Sequence, residues 1–484
     1  MSENRQDRAD LSISGVSART GLSRDTLRWY EQEGLIPEVP RDHAGVRRYD
    51  EASVRIVELL VTLRRMGMPV ARMREFTTML GQGTTTHGQR MRILDDHREH
   101  IHTRIRELHE DIRVVEEKSA HYRTLISAGL DCTGIPVSTG PVFLGDGLVT
   151  SRTGFGAMAL TPVYGGIDDD RALQVLHHAV DIGVSFIDTA DVYGAPAPGT
   201  TGPAGTNEEL LSRLLRDRRG EVTLATKFGI TGAIGLSSDP AVAGAGKRTR
   251  GDRGYARRCL EDSLRRLGTD VIDLWYLHRP DPEVQVEETV GFMAEQVAAG
   301  KVRHIGLSEV TAAELRRAHR VHPIAAVQSE WSLWSRDVED NVVPACAELG
   351  VGFVPYSPLG RGLLTGTLTR EQITGDARAG MERINAGWSA NQRALAVVSG
   401  VADRIGATNA QVCLAWLIDA RRRHGLTVVP IPGTRSTPRL EENARAVDVL
   451  LDDRSLAELD GVAALVSGSR NIIDDPTWIS AGRE

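Results

Sequence analysis

The 484-residue sequence predicts three parts of different class: an all-α winged helix-turn-helix, a long coiled-coil helix, and an α/β barrel of the (β/α)8 type. Three observations carry that prediction. Two short helix signals meet at a tight turn near the N-terminus. An apolar seam then recurs at heptad spacing over residues 89–127. After a Gly/Pro/Ser/Thr-rich break, short apolar strands alternate with amphipathic helices over roughly 300 residues, enough for eight units. A doubly wound open sheet fits less well, because no GxGxxG follows the first strand. The expected boundaries are 11–80 for the helix-turn-helix, 89–127 for the long helix, 128–141 for a linker, 142–466 for the barrel and 467–484 for a tail.

Taken in order, Ser14 is positioned to cap a helix that runs to about Thr20 and ends at Gly21. Ser23 caps a second, "RDTLRWYEQE", which Gly34 stops. The stretch "IPEVPRDHAGVRRYD" reads as a loop or hairpin, and "EASVRIVELLVTLRRMG" and "PVARMREFTTML" as two further amphipathic helices. In the next segment Leu94, Ile101, Leu108, Val115 and Tyr122 recur every seven positions, and Ile105, Ile112, Ser119 and Ile126 form the offset row. So narrow and sustained a seam favours pairing with a second helix, hence a homodimer, over packing within the chain. Beyond the linker, "FLGDGLV" reads as a hairpin, followed by strands "FGAMAL", "VSFIDTA", "VTLATK", "VIDLWYLH", "VRHIGLSE", "AAVQSE", "VGFVPYS" and "LTVVPIPG".

Composition narrows the function classes. A net charge of −7 and a 25% charged fraction describe a soluble globular protein rather than a broadly basic nucleic-acid coat. Residues 1–80 nevertheless hold 13 Arg against 12 Asp+Glu, so the N-terminal part is the weakly cationic one. No apolar run suits a bilayer and no leader pattern opens the chain, so no membrane partner and a cytoplasmic location are expected. The four cysteines are scattered without CxxC spacing, which predicts reduced thiols and no metal site.

The basic residues are almost all arginine; lysine occurs only at 118, 227, 247 and 301. Lys227 nonetheless closes an apolar strand, where a charge is costly unless paired. Asp188 ends the preceding strand, Tyr193 follows it by five residues, and His278 ends the strand after Lys227. A barrel gathers the C-terminal ends of its strands at one rim, which would bring these four side chains together. A carboxylate holding an ammonium beside a phenol would lower the phenol's pKa and suit it to donate a proton, with His278 bonding a carbonyl oxygen. Arginine is too large and too fixed in charge to replace the lysine there.

"FIDTADVYG", "TKFG", "DLWYLHRPD", "IGLSE", "PYSPLGRG" and "IPGTRSTPRLEEN" resemble, in order, the motifs of the aldo-keto reductases, NADPH-using barrels. The resemblance implies that Tyr193 is the general acid, assisted by Lys227, Asp188 and His278. It implies that Ser308 and Gln328 hold the nicotinamide carboxamide and that Tyr356 stacks on its ring. Ser357, Leu359, Gly360 and Gly362 would cover the pyrophosphate. Gly433, Thr434, Arg435 and Arg439 would surround the adenosine 2′-phosphate, with Glu442 and Asn443 on the adenine. The two arginines favour NADP(H) over NAD, since a guanidinium forks onto a phosphate dianion. The chain departs from the family's pattern in Glu309, where many members have asparagine, and in longer loops after Tyr193 and Gly229.

The stretch from "TLRWYEQEGLIP" to "LVTLRRMGMPV" resembles the DNA-binding domain and dimerisation helix of MerR-type regulators. It implies a dimer on a near-palindromic promoter site, which distorts the DNA and so helps RNA polymerase indirectly. Thr26, Arg28, Trp29 and Tyr30 would lie on or beside the recognition helix, and Arg47, Arg48 and Tyr49 on the wing. Metal-sensing members of that family keep cysteines near the end of the dimerisation helix, where this chain has only Cys132, so the barrel occupies the sensor position. The expected function is a transcription regulator, an activator, whose NADP-binding barrel responds to a small-molecule ligand or carbonyl substrate. The alternatives are an NADPH-dependent reductase with an accessory DNA-binding module, and a catalytically silent NADP(H) redox sensor.

Overall fold

A computed structural model of the chain describes residues 10–134, 140–194, 205–232, 248–374, 376–471 and 475–484. They fall into two compact units that divide between His121 and Tyr122. In the first, α1 (Ile13–Thr20) and α2 (Arg24–Gln32) pack together, and α3 (Glu51–Arg65) and α4 (Val70–Leu80) follow. The cap of α1 is Ser12, not Ser14: its hydroxyl accepts from Gly15 N at 3.3 Å. Gly21 ends the helix at φ 74°, a left-handed conformation that glycine adopts without strain. Ser23 caps α2 as expected, accepting from Thr26 N at 3.0 Å. A two-residue ladder pairs β1 (Leu11–Ser12) with β2 (Arg48–Tyr49), and a bridge between Arg41 and Arg47 closes the wing. Leu27 and Tyr30, three residues apart on α2, join Val16, Tyr49, Val54 and Leu60 in one core.

The fifth helix, α5 (His87–Ala128), has 42 residues, about 63 Å at 1.5 Å each. Only Ile93 and His97 on it are buried. The seam side chains Leu94, Ile105, Leu108, Ile112 and Val115 are exposed, from 41% at Leu94 to 64% at Val115.

The second unit is a (β/α)8 barrel. A hairpin of β3 (Val142–Phe143) and β4 (Val149–Thr150) precedes it. Seven parallel strands then run in sequence order around the sheet: β5 (Gly154–Gly156), β6 (Phe186–Asp188), β7 (Thr223–Phe228), β8 (Ile272–Leu277), β9 (Val302–Ser308), β10 (Ile324–Glu330) and β11 (Gly352–Tyr356). The eighth stave is the extended segment after Leu426. Val429 N donates to Phe353 O at 2.9 Å, and Gly154 N donates to Pro430 O at 2.9 Å, so this segment bonds to both sheet edges and closes the cylinder. The crossovers include α6 (Asp169–Asp181), α7 (Thr206–Arg218), α8 (Arg253–Leu267), α9 (Val286–Ala298), α10 (Ala312–Val321) and α11 (Val342–Leu349). Inside, Phe186, Ala225, Leu274, Tyr276, Ala326 and Val354 fill the cylinder. Leu144 and Leu148 of the hairpin join that interior cluster and plug the end where the strands start. No helix among the described residues is long and apolar enough to cross a membrane.

Candidate active site and nucleic-acid interface

Strand alternation builds the rim. Side chains two apart along a strand share a face. Phe186, Ala225, Tyr276, Ala326 and Val354 point into the barrel. The next inward positions are therefore Asp188, Lys227, His278, Gln328 and Tyr356, at or near the C-terminal ends of their strands. Lys227 is fully buried; its Nζ donates to Asp188 Oδ1 at 2.5 Å, to Thr189 O at 2.8 Å and to the Tyr193 hydroxyl at 3.4 Å. Gln328 Nε2 donates to the other oxygen, Asp188 Oδ2, at 2.9 Å. The Tyr193 and His278 rings meet edge to face with centroids 5.8 Å apart. The four expected side chains are thus brought together.

Burial drives Lys227 toward the neutral amine, but the Asp188 carboxylate outweighs it and the amine stays above its ordinary pKa. Burial pushes the Tyr193 phenol above its ordinary value, while Lys227 pulls it back. Desolvation thus exceeds the lowering expected from the sequence, and the phenol is held protonated, as a donor. His278 goes well below its ordinary value, first through burial, then through the charges of Lys227 and Arg279, so its imidazole is neutral at pH 7. Its Nδ1 is buried without a partner among the described residues. A carbonyl oxygen placed between phenol and imidazole would meet two neutral donors backed by an ammonium, the arrangement that stabilises charge developing on that oxygen.

A cavity of about 300 Å³ runs from this rim. All the residues expected to hold a nucleotide line it except Gly360, which lies beside Trp334. Its far end is shaped for close backbone approach: a side chain at Gly433 would lie 2.5 Å from Gly156 O. Arg435 and Arg439 stand at that end. Arg435 Nη1 donates to Gly166 O at 2.6 Å and Arg439 Nη2 reaches Thr367 Oγ1 at 3.5 Å, and neither has an ion-pair partner among the described residues. Two guanidiniums without an ion-pair partner among the described residues at one end and neutral donors at the other fit a dinucleotide. Ser357 and Arg361, between them, hold left-handed backbone at φ 49° and 55°.

Of the other rim residues, Glu309 stood out in the sequence only as a departure from the family's pattern, and Arg470, Ser480 and Arg378 carried no signal. Glu309 is fully buried, and Arg470 donates to both its oxygens at 3.0 and 3.3 Å. Ser480 N donates to it at 2.9 Å and the Tyr356 hydroxyl at 2.8 Å. These bonds clasp residues 467–471 and 475–484 against the rim, where Asn471, Trp478 and Ile479 line the cavity. Arg378, buried and paired with Asp376, donates to Arg361 O at 3.1 Å beside the nucleotide end.

On the N-terminal unit the expected contact residues divide. Arg28, Trp29 and Arg48 are exposed, and Thr26 is half-buried. Arg28 pairs with Asp25 at 2.7 Å, Arg48 with Asp42 at 2.8 Å, and half-buried Arg47 with Glu31 at 2.7 Å. Tyr30 and Tyr49 are not on the surface: both are buried in the core with hydroxyls that find no partner among the described residues. Their spacing explains it, since Tyr30 shares a helical face with Leu27 and Tyr49 alternates with exposed Arg48.

The comparisons with known proteins fit this geometry. Residues 152–464 match the aldo/keto reductase family, and residues 11–80 match the MerR HTH family of regulatory proteins. A probable aldo-keto reductase 1 of Glycine max is 40% identical over 347 residues, 70% of this chain and 94% of the relative. The chain belongs to the aldo/keto reductase family. Among solved structures, a thermostable aldo-keto reductase in complex with the inhibitor epalrestat shares 28% identity, covers 66% of this chain and 99% of its own, and superposes with a TM-score of 0.50. A glycerol dehydrogenase of Gluconobacter oxydans, 24% identical, covers 68% and 96% with a TM-score of 0.57, a likeness of fold. The aldo/keto reductase domain is preceded in this chain by a MerR HTH domain, so the two families occur as one polypeptide.

Proposed function

We propose that the chain is a DNA-binding transcription regulator of the MerR type, an activator in the cytoplasm, whose sensor is an NADP(H)-binding reductase barrel. The single observation behind this reading is the fusion: a pocket with a complete donor rim stands on the same chain as a helix-turn-helix. The exposed seam of α5 supports a homodimer, because apolar side chains repeated at heptad spacing lose their contact with water only against another helix. Arg28, Trp29 and Arg48 are the side chains offered to promoter DNA, with the arginines exchanging their carboxylates for phosphates. Ligand binding at the rim would bias the two halves of a dimer and so change the DNA geometry that RNA polymerase meets.

The barrel is also competent to reduce a carbonyl compound, and the distances around Tyr193 favour this second reading. A bound nicotinamide would supply the hydride. Tyr193 gives its proton to the carbonyl oxygen, neutral His278 bonds the same oxygen, and the ammonium of Lys227, fixed by Asp188, stabilises the phenolate left behind. Ser308, Gln328 and Tyr356 would orient the ring, and Arg435 and Arg439 the 2′-phosphate.

The test uses the full chain. Selection from random double-stranded DNA should enrich an inverted repeat, and transcription from a promoter carrying that repeat should differ between NADPH and NADP⁺. Enrichment of no motif would remove the regulator reading and leave the enzyme.

A further inference from the structure

Beside the rim sits a guanidinium that the proton-transfer chemistry does not use. Arg279 follows His278, lines the same cavity and is 8% exposed. Its Nη1 donates to His278 O at 2.8 Å and to Ser308 Oγ at 3.1 Å. Among the described residues its Nη2 only reaches the Tyr356 hydroxyl, at 3.5 Å, and its buried Nε has no partner. The Nε and Nη2 hydrogens lie along one edge of the planar group, the fork that matches a carboxylate. That edge is the under-used one.

No carboxylate among the described residues is within ion-pair distance of Arg279. Glu309 feels the charge of Arg279 through space, but its oxygens are engaged by Arg470, Ser480 and Tyr356. Asp188, the other acid at this rim, is held by Lys227 and Gln328. A buried cation with no anion bonded to it directly is costly, and sites carry that cost where a ligand relieves it. Above the guanidinium lies the indole of Trp478, its centroid 5.2 Å away, a wall that keeps water from the fork and offers a face to an aromatic substituent.

We propose that Arg279 is a specificity determinant that selects 2-oxo carboxylates, with Trp478 as the wall against their side chain. The inference rests on the reductase reading above. The substrate's carboxylate takes the Nε–Nη2 edge, which sets the adjacent carbonyl between Tyr193 and His278. The carbonyl carbon then receives the hydride and its oxygen the Tyr193 proton. The products are a 2-hydroxy acid and the oxidised nucleotide, and the phenolate regains a proton from solvent.

The experiment compares phenylglyoxylate with its neutral methyl ester in NADPH oxidation by the full chain, for the wild type, Arg279→Gln and Arg279→Lys. Wild type should favour the acid by about tenfold or more in kcat/KM, expressed mainly in KM, as a charge-assisted bidentate contact gives. Arg279→Gln should abolish that ratio and Arg279→Lys should keep part of it. Quenching of tryptophan fluorescence by phenylglyoxylate, followed with NADP⁺ present and no turnover, should show the same order of affinities. An acid-to-ester ratio that is unity in the wild type, or unchanged in Arg279→Gln, overturns the proposal. So does a loss confined to NADPH affinity, which would assign the guanidinium to the nicotinamide. If the ester is reduced without any preference for the acid, this inference alone falls. If the protein retains no NADPH, the reductase reading falls with it.

Discussion

At the barrel rim, charged side chains are buried and most find a counterpart within the chain: Lys227 with Asp188, Glu309 with Arg470, Arg361 with Glu330. On α5 the inverse holds, with Leu108, Ile112 and Val115 set in water. Both arrangements are unfavourable when isolated. The rim resolves its own cost through pairs drawn from residues far apart in sequence. The long helix cannot, because its seam faces away from the small core that holds Ile93. Self-sufficiency therefore marks the aldo/keto reductase barrel, and an exposed apolar seam marks the helix beyond the MerR HTH domain; under the proposed function the first would serve a small molecule and the second a two-fold target.

Breaking the rim should cost most. Tyr193→Phe removes the proton donor and should lower kcat/KM for NADPH-dependent reduction by about 10²–10⁴-fold, with NADPH binding by fluorescence retained. An equal rate in the variant would mean that the pairing around Lys227 serves the fold alone. Next comes the clasp. Burial pushes Glu309 up, but Arg470 and Arg279 dominate and hold it at about 2 against an ordinary 4.5. A folded pKa below the unfolded one stabilises above the unfolded value, and that stability is lost as pH falls through 4.5 toward 2. Glu309→Gln should therefore cost roughly 3 kcal/mol at pH 7 in denaturant unfolding. The gap to the wild type should close on acidification, and a gap independent of pH would refute the ion pair.

The helix gives the sharper contrast. Ile112→Asp sets a charge in the seam and should weaken dimerisation at least about tenfold by analytical ultracentrifugation. The barrel's NADPH affinity should be untouched. A monomeric wild type would erase the distinction between the two regions. The smallest effect is expected at the nucleotide end, where Arg435→Ala should weaken NADPH about tenfold and NADH hardly at all, measured by fluorescence titration.

Much of this was legible in the chain. Strand ends announce themselves because a charge closing an apolar run has few explanations, and alternation by two then aims Asp188, Lys227 and His278 inward. The heptad row of α5 was equally plain. The tail was not, since Arg470, Trp478 and Ser480 lie in a polar stretch without periodicity, and only the fold brings them to Glu309. Glu309 was noticed as a departure, yet its partner is 161 positions away. The resemblance places Tyr30 on or beside the recognition helix and Tyr49 on the wing, and their spacing from Leu27 and Arg48 marks both as core. The eighth stave was read correctly from "LTVVPIPG", even though its hydrogen bonds, interrupted by two prolines, form no regular ladder.

The clasp of Arg470 and Ser480 on Glu309 has a consequence for biosynthesis. A ribosome adding about 5–20 residues per second releases the helix-turn-helix some tens of seconds before it makes Trp478. The nascent chain thus exposes its helix-turn-helix and its seam while the pocket still lacks a wall. If the seam pairs as proposed, a growing chain can find its twin on the same messenger before the pocket of either copy is complete.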